Sequence, residues 1–485
     1  MSDMGLSIAA SGLAADAAAI DTASNNLSNI STPGYAAEKV NLSPEAGFGP
    51  LGVGQGVIVS SVSQLTDLVY AAANVAAQGV QGAATQTSQI MGSIETVFPE
   101  PSTNGLSAQL STLWSDLSAL SSTPNQSGSQ QAVVGAAQSV AQTLNSSFTQ
   151  LSQLSSSLQQ QVGAGSNDGG VLSQVNSLLD QVAQLNVGIV AGNAGGQDVN
   201  ALIDKRTAAV NELATSLGVS TTPGAHGSLT VSLHGVQLVA GDVAQNLSSS
   251  GAGSSGTLAI ATGSGVSVNA GGIIGANIAA VNETIPNYVH QLNAVADSLA
   301  TKLNALQANG IAANGDPGSA VAGAWTGTVL PNIFVDSGAP GTYTSSSPSY
   351  SAASTIAVSP TLLANTSLIA TAAAPGPGNS NVIGQPTLDG SNAQAMAALA
   401  TAPSGPDLSY QVLVGALGTQ AANASAVASA ATHLATAASN NLSSITGVNQ
   451  NAQEVDIMNA QNDFQASSKV ISAITTAFQS LLAAV

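Results

Sequence analysis

Leu6, Leu13, Ile20 and Leu27 stand seven residues apart near the start of the chain. Ile457, Phe464, Ile471, Phe478 and Val485 stand seven apart near its end. Ala10 and Ala17 follow the first two leucines by four, and Ala460, Ser467, Ile474 and Leu481 follow the first four of the second set by three. Both ends therefore read as helices with a narrow a/d stripe. Such a stripe cannot bury itself and needs a partner helix, because an isolated helix of this kind is marginal in water. The spacing leaves two arrangements open: terminal helices packed on their own domain, or a coiled coil of both termini completed in an assembly. Each large seam residue contributes roughly 1.5–3 kcal/mol if fully buried. The candidate seam is Leu6, Leu13, Ile20, Leu27, Ile457, Phe464, Ile471, Ile474, Phe478 and Leu481.

Between the ends, apolar residues keep the helical period. Leu106, Leu110, Leu113, Leu117 and Leu120 run to Pro124. Further helices are marked by Val140 to Leu158, Val171 to Ile189, Leu202 to Leu217 and Ile285 to Leu306, and two or three Ala-rich ones by Met396 to Leu442. Long helices of this periodicity form bundles. Two stretches break the pattern. In "GSLTVSLHGVQLVAG", 227–241, Leu229, Val231 and Leu233 alternate up to a His234-Gly235 turn, which predicts a β-hairpin. Residues 311–392 are rich in Gly, Pro, Ser and Thr, which predicts a β-rich insertion with long loops. A strand pair is also expected within 51–65. The fold class is mainly α with β-rich insertions: terminal coiled-coil helices, a long helical-bundle core domain and one or two small outer β domains.

Charge narrows the partners. Only 6% of the 485 residues are charged, against about 25% in ordinary proteins. The basic residues are Lys39, Lys205, Arg206, Lys302 and Lys469, and the net charge is −19. Too few cations are present to neutralise phosphates, so neither nucleic acid nor an anionic membrane surface is an expected partner. No cysteine is present, which excludes disulfides and Cys-based metal sites. The first twenty residues carry Asp3 and Asp16 but no basic residue, unlike a secretory signal peptide. No strongly apolar run of membrane-spanning length is evident, so no membrane insertion is expected.

Motifs for chemistry are sparse. Gly52-x-Gly54-x-Gly56 lacks the preceding strand and following helix of a nucleotide loop, and reads as glycines in a hairpin. His226, His234, His290 and His433 lack metal-ligand spacing, apart from the first two, which a hairpin could bring close. Asp204-Lys205-Arg206 could grip a partner carboxylate. The commoner explanation for such a cluster is the solvated face of the Leu202–Leu217 helix, with Asp204 near its start. Glu45, Glu95 and Glu100 are too dispersed for a paired-carboxylate site, and neither Gly-x-Ser-x-Gly nor His-Glu-x-x-His occurs. The chain reads as no enzyme, with no cofactor, metal or catalytic residues.

The helix at the start meets "NNLSNISTPGY", residues 25–35. Pro33 suits the second position of a type II turn and Gly34 the third, where φ is positive. The asparagines before it suit a helix end. The stretch "AASGLAADAAAIDTASNNLSNISTPGY", 9–35, resembles the N-terminal signature of the flagellar rod, hook and hook-associated proteins. "GVNQNAQEVDIMNAQNDFQASSKVISAITTAFQSLL", 447–482, is similar to the matching C-terminal signature. The stretches at 94–124, 201–219, 227–241 and 290–318 resemble the hook-associated branch of that family. Asn25, Asn26, Asn29, Thr32, Pro33, Gly34 and Tyr35 match its turn motif, and Tyr35 would anchor the junction behind the first helix.

The resemblance implies a structural subunit of the bacterial flagellum at the junction between hook and filament, needed for filament assembly. Another axial protein, such as a hook or distal rod subunit, is the alternative. A secreted adhesin or enzyme using 311–392 is a third reading, for which no catalytic constellation is visible. The implied partners are other copies of the chain in a helical ring, hook protein, a second junction protein with the flagellin side of the filament, and an export chaperone. The implied location is extracellular, after type III export without a cleaved signal peptide. The implied domains are a terminal coiled coil (1–35 and 448–485), a helical core (36–218, 281–310 and 393–447), a small β domain (219–280) and an outer insertion (311–392). One departure stands out. Asn459, Gln461, Gln130 and Gln131 occupy places where the family usually carries arginine.

Overall fold

The computed structural model describes residues 2–32, 34–46, 54–163, 169–251, 257–339, 343 and 351–483. In chain order, α1 (Ser2–Ser28) leads into a hairpin of β1 (Glu38–Pro44) and β2 (Val57–Gln64). Next come α2 (Leu68–Val97), α3 (Leu106–Ser122), α4 (Ser127–Val162), α5 (Val171–Ala194) and α6 (Asn200–Leu217). Strands β3 (Ser220–Pro223), β4 (Leu229–Leu233), β5 (Val236–Ala240) and β6 (Val243–Ala244) form an antiparallel sheet in that order. A second antiparallel sheet holds β7 (Leu247–Ser250), β8 (Ala259–Thr262) and β9 (Ser267–Val268). Then follow α7 (Gly272–Ala279), α8 (Ile285–Ala308), β10 (Gly310–Ala312), β11 (Phe334–Asp336), α9 (Ala352–Thr355), β12 (Ile356–Val358), α10 (Pro360–Ala364) and β13 (Ala370–Ala373). The chain closes with α11 (Ser391–Ala397), α12 (Pro406–Thr446) and α13 (Gln450–Ala483).

The chain divides into two compact units. Residues 1–85, 162–276 and 427–485 build the first, and 86–161 and 277–426 the second. In the first, α5 packs along α6, burying Leu179, Val182, Ile189, Leu213 and Leu217. Val231, Leu233, Leu238 and Val239 of the sheet are also buried. His234 and Gly235 both take positive φ, 46° and 89°, as the tight turn between β4 and β5 requires. In the second unit, Leu110, Leu113, Leu117 and Leu120 of α3 are buried, as are Leu144 and Leu151 of α4 and Leu292 and Leu299 of α8. Polar groups stitch this core. Trp114 donates from Nε1 to Asp407 at 2.8 Å, and the Tyr288 hydroxyl to Gln420 at 2.8 Å.

One sequence expectation changes, and two regions gain detail. The strand pair near 51–65 has its first arm upstream: β1 at 38–44 pairs with β2 at 57–64. Gly52 lies outside the described residues. The 30-residue helix α2 carries no leucine stripe and adds a helix that the leucine spacing does not mark. Described parts of 311–392 form two short strand pairs, β10 with β13 and β11 with β12. These are fastened to α8 by side-chain amides. Asn304 Oδ1 accepts from the backbone N–H groups of Ile333 and Phe334, and Gln307 accepts from Ala370 and donates to Leu368.

Gly135 lies inside α4 on its exposed side, and a methyl group there meets nothing within 4 Å. Gly135→Ala removes only backbone entropy from the unfolded chain. It should raise stability by about 0.5–1 kcal/mol, seen as a higher denaturant midpoint.

Candidate functional site

Helices α1 and α13 lie side by side in the first unit. Their contacts fix direction and register. A Cβ on Gly5 would sit 3.2 Å from Ile474 Cδ1, and one on Gly12 would sit 3.3 Å from Ser467 Oγ. Asn26 Nδ2 donates to Gln453 Oε1 at 2.8 Å. Each step of seven up α1 is thus a step of seven down α13, so the pair is antiparallel.

Small residues set the closest approach. Ala9, Ala15, Ala23 and Ala460 are buried. The large residues flank this strip. Leu13, Ile20, Leu27, Ile457, Ile471 and Ile474 are half-buried, whereas Leu6 and Phe464 are each 40% exposed and Phe478 50% exposed. Val470, Met458 and Leu482 add to the exposed apolar surface. The side chain of Leu481 and the whole of Val485 lie outside the described residues. The register brings Leu6 to the level of Ile471, Leu13 to that of Phe464 and Ile20 to that of Ile457. Glycine and alanine let the backbones close up, and Ile474 packs over Gly5. The window Met4–Ser28 is long and apolar enough, by length and composition only, to cross a membrane, contrary to the expectation that no such run occurs, because alanine supplies its hydropathy. It also carries Asp16 and Asp21.

Asn26 is 1% exposed and fills every hydrogen-bonding position of its amide. Nδ2 donates to the Glu38 carbonyl at 2.8 Å as well as to Gln453. Oδ1 accepts from the Glu38 N–H and from the Tyr35 hydroxyl, both at 2.8 Å. One side chain thus joins α1, the following turn, β1 and α13. Asn25 and Asn26 lie inside α1 rather than ending it. Asn29 follows the helix and donates to the Asn25 carbonyl, while the Thr32 hydroxyl donates to Asn29 Oδ1. Gly34 has φ 81°, and the Tyr35 N–H bonds to the Thr32 carbonyl at 3.2 Å, closing a β-turn. Pro33 lies outside the described residues. Burial, reinforced by Glu38, Asp204 and Asp198, pushes the Tyr35 phenol up to about 12. It stays a protonated donor to Asn26 at all ordinary pH values.

Asp16 faces Asp463 in the same register. Its Oδ2 is buried without a hydrogen-bond partner. Burial first, then the Asp463 charge, raises its pKa above the usual 3.8, against a lowering by the Ser467 hydroxyl. The raised folded value means that the native state holds the proton more tightly. Stability is present in full below about 3.8 and is lost as pH rises through the folded value. The α1–α13 pair should therefore hold more tightly in mild acid than at neutral pH. Asp16→Asn should strengthen it at neutral pH by a few tenths of a kcal/mol and flatten the pH dependence. Amide hydrogen exchange along α1 reads both effects.

Below the turn, the first unit holds a cleft of about 740 Å³. Thr32, Tyr35, Leu65, Leu68, Asn74, Arg206 and Leu442 are among its lining residues. Arg206 is 8% exposed, which rules out the solvated-face reading for it, although Lys205 is exposed. Among the described residues, no group of three or more His, Asp or Glu side chains could hold a metal.

The two terminal helices pair, and a hairpin and helical units lie between them in the chain. Residues 6–35 match the flagella basal body rod protein family, and residues 91–321 match the flagellar hook-associated protein FlgK helical domain. The chain is 29% identical over 231 residues to flagellar hook-associated protein 1 of Bacillus subtilis, covering 44% of this chain and 43% of that protein. It is 28% identical over 244 residues to the protein of the same name from Escherichia coli, covering 49% and 43%. These matches span less than half the length of either relative. The fold is shared with the flagellar hook junction protein FlgK from Burkholderia pseudomallei, at a TM-score of 0.60 and 17% identity, over 78% of this chain and 100% of that one.

Proposed function

We propose that the chain is a structural subunit of the bacterial flagellum at the hook–filament junction. The single observation that carries this is the paired termini joined to a hook-associated helical domain in one chain. A hook or rod subunit would share the rod-type segment, but the 91–321 match favours the hook-associated reading. Exposed Leu6, Phe464 and Phe478 leave an apolar face on the terminal pair. Neighbouring copies stacked with open, head-to-tail symmetry would cover it. On this reading the seam residues and the Asn25–Tyr35 turn are assembly surfaces. The terminal pair (1–35, 448–485) is the inner part, 36–218, 281–310 and 393–447 the core, and 219–280 and 311–392 the outer β regions. Partners are hook protein on one side, a second junction protein and flagellin on the other, and a chaperone during type III export. No catalytic role is proposed.

A clean deletion in the source bacterium tests the proposal. Hooks without filaments, with monomeric flagellin in the medium, support it. Loss of the hook as well would place the chain among hook or rod subunits. Normal filaments would reject an axial role.

A further inference from the structure

Arg206 is the only arginine in the chain, and it is buried. Its Nη1 donates to Asn186 Oδ1 at 2.9 Å and to the Gly227 carbonyl at 2.7 Å. These are neutral acceptors. Among the described residues no partner is found for Nε or Nη2, and burial, with no offsetting carboxylate, lowers its pKa. Clamping α5 and the Gly227 turn explains Nη1 but not the rest of the guanidinium.

The acids in the same cleft are already engaged. Asp204 accepts from Gln64 Nε2 at 2.7 Å and from the Ala36 backbone. Asp67 Oδ1 caps the start of α2 through the N–H groups of Val69 and Tyr70. A second group in the cleft also lacks a partner. Asn74 is 4% exposed, and its Oδ1 is buried with no donor. The rim is apolar, with Ile30, Leu65 and Leu68 lining the cleft and exposed. Its volume of about 740 Å³ falls within the range of ligand-binding clefts.

We propose that this cleft receives a peptide segment of another protein carrying an aspartate or glutamate side chain. The carboxylate pairs with the free edge of the Arg206 guanidinium, a backbone N–H satisfies Asn74 Oδ1, and flanking apolar side chains cover Ile30, Leu65 and Leu68. The free edge of the guanidinium, which opens on the cleft, selects a carboxylate, which it can bind bidentately. The lone Asn74 acceptor selects a donor that a free carboxylate lacks and a peptide has. The inference does not depend on the junction reading.

The test is a titration of the full chain with acetyl-Leu-Asp-Leu-amide and acetyl-Leu-Asn-Leu-amide, followed by ligand-observed NMR. The aspartyl peptide should bind saturably and at least tenfold more tightly than the asparaginyl one, with affinity falling as salt rises. Arg206→Lys should shrink that ratio several-fold, and Asn74→Leu should weaken both peptides alike. Equal affinity for the two peptides in the unaltered chain would overturn the proposal, as would no saturable binding at millimolar concentration. That comparison needs no variant to fold. Unchanged discrimination in a folded Arg206→Lys chain would overturn the pairing with Arg206.

Discussion

Asn26→Leu is expected to destabilise the first unit by about 3 kcal/mol or more. Leucine nearly matches asparagine in size but offers no hydrogen bonds. The Glu38 N–H and C=O, the Tyr35 hydroxyl and Gln453 Oε1 all lose the Asn26 amide. Gln453 can turn to solvent, and Tyr35 keeps a longer contact from Asn25 Nδ2 at 3.5 Å. The two backbone groups of Glu38 have no such escape, and a buried unsatisfied group costs roughly 1–3 kcal/mol. Asn26→Asp should also be destabilising, because its carboxylate would meet the Glu38 carbonyl and Gln453 Oε1 where Nδ2 now donates. Denaturant titration of the first unit and hydrogen exchange at the Glu38 amide give the measurement. A loss under about 0.5 kcal/mol would show that water replaces the amide without cost.

Gly82→Ala tests a different kind of constraint. Gly82 lies in α2, and a Cβ there would sit 2.2 Å from the Thr215 carbonyl oxygen of α6. At Gly79, one turn earlier, a Cβ would sit 3.0 Å from Gly218 Cα. Helix propensity alone favours alanine by about 1 kcal/mol. The clash is with backbone, which cannot rotate away, and overpacking costs typically 1–3 kcal/mol or more. The clash wins, and a net loss of about 2 kcal/mol is expected as a lower denaturant midpoint. The opposite sign at Gly135, where a methyl meets open space, makes the pair a controlled comparison.

Much of the helical framework was legible in the sequence. The stripe from Leu106 to Leu120 is buried throughout, because those residues meet a core at the helical period. The β4–β5 hairpin was legible too, since His234-Gly235 sits between two alternating runs and only a primed turn lets such strands pair. Helix α2 was not. Its buried large residues, Val75, Ile90, Met91, Ile94 and Val97, are few for 30 residues, and at Gly79 and Gly82 only the fit against α6 and Gly218 shows why glycine is there.

The candidate site divides in the same way. The sequence by itself determined that both ends are heptad helices in need of a partner, and that a Thr-Pro-Gly-Tyr turn follows the first. Those properties depend on residues close together in the chain. Only the tertiary structure decided that the two ends pair antiparallel along glycine and alanine, with Leu6 and Phe464 left exposed, because register depends on which small residues let two backbones approach. The tertiary structure alone also gave Asn26 and Arg206 their surroundings. Asn26 finds Gln453, 427 positions away, and Arg206 finds Asn186 and the Gly227 carbonyl at the edge of a cleft. A polar side chain's role rests on what the rest of the fold brings within 3 Å of it, and local sequence carries no record of that.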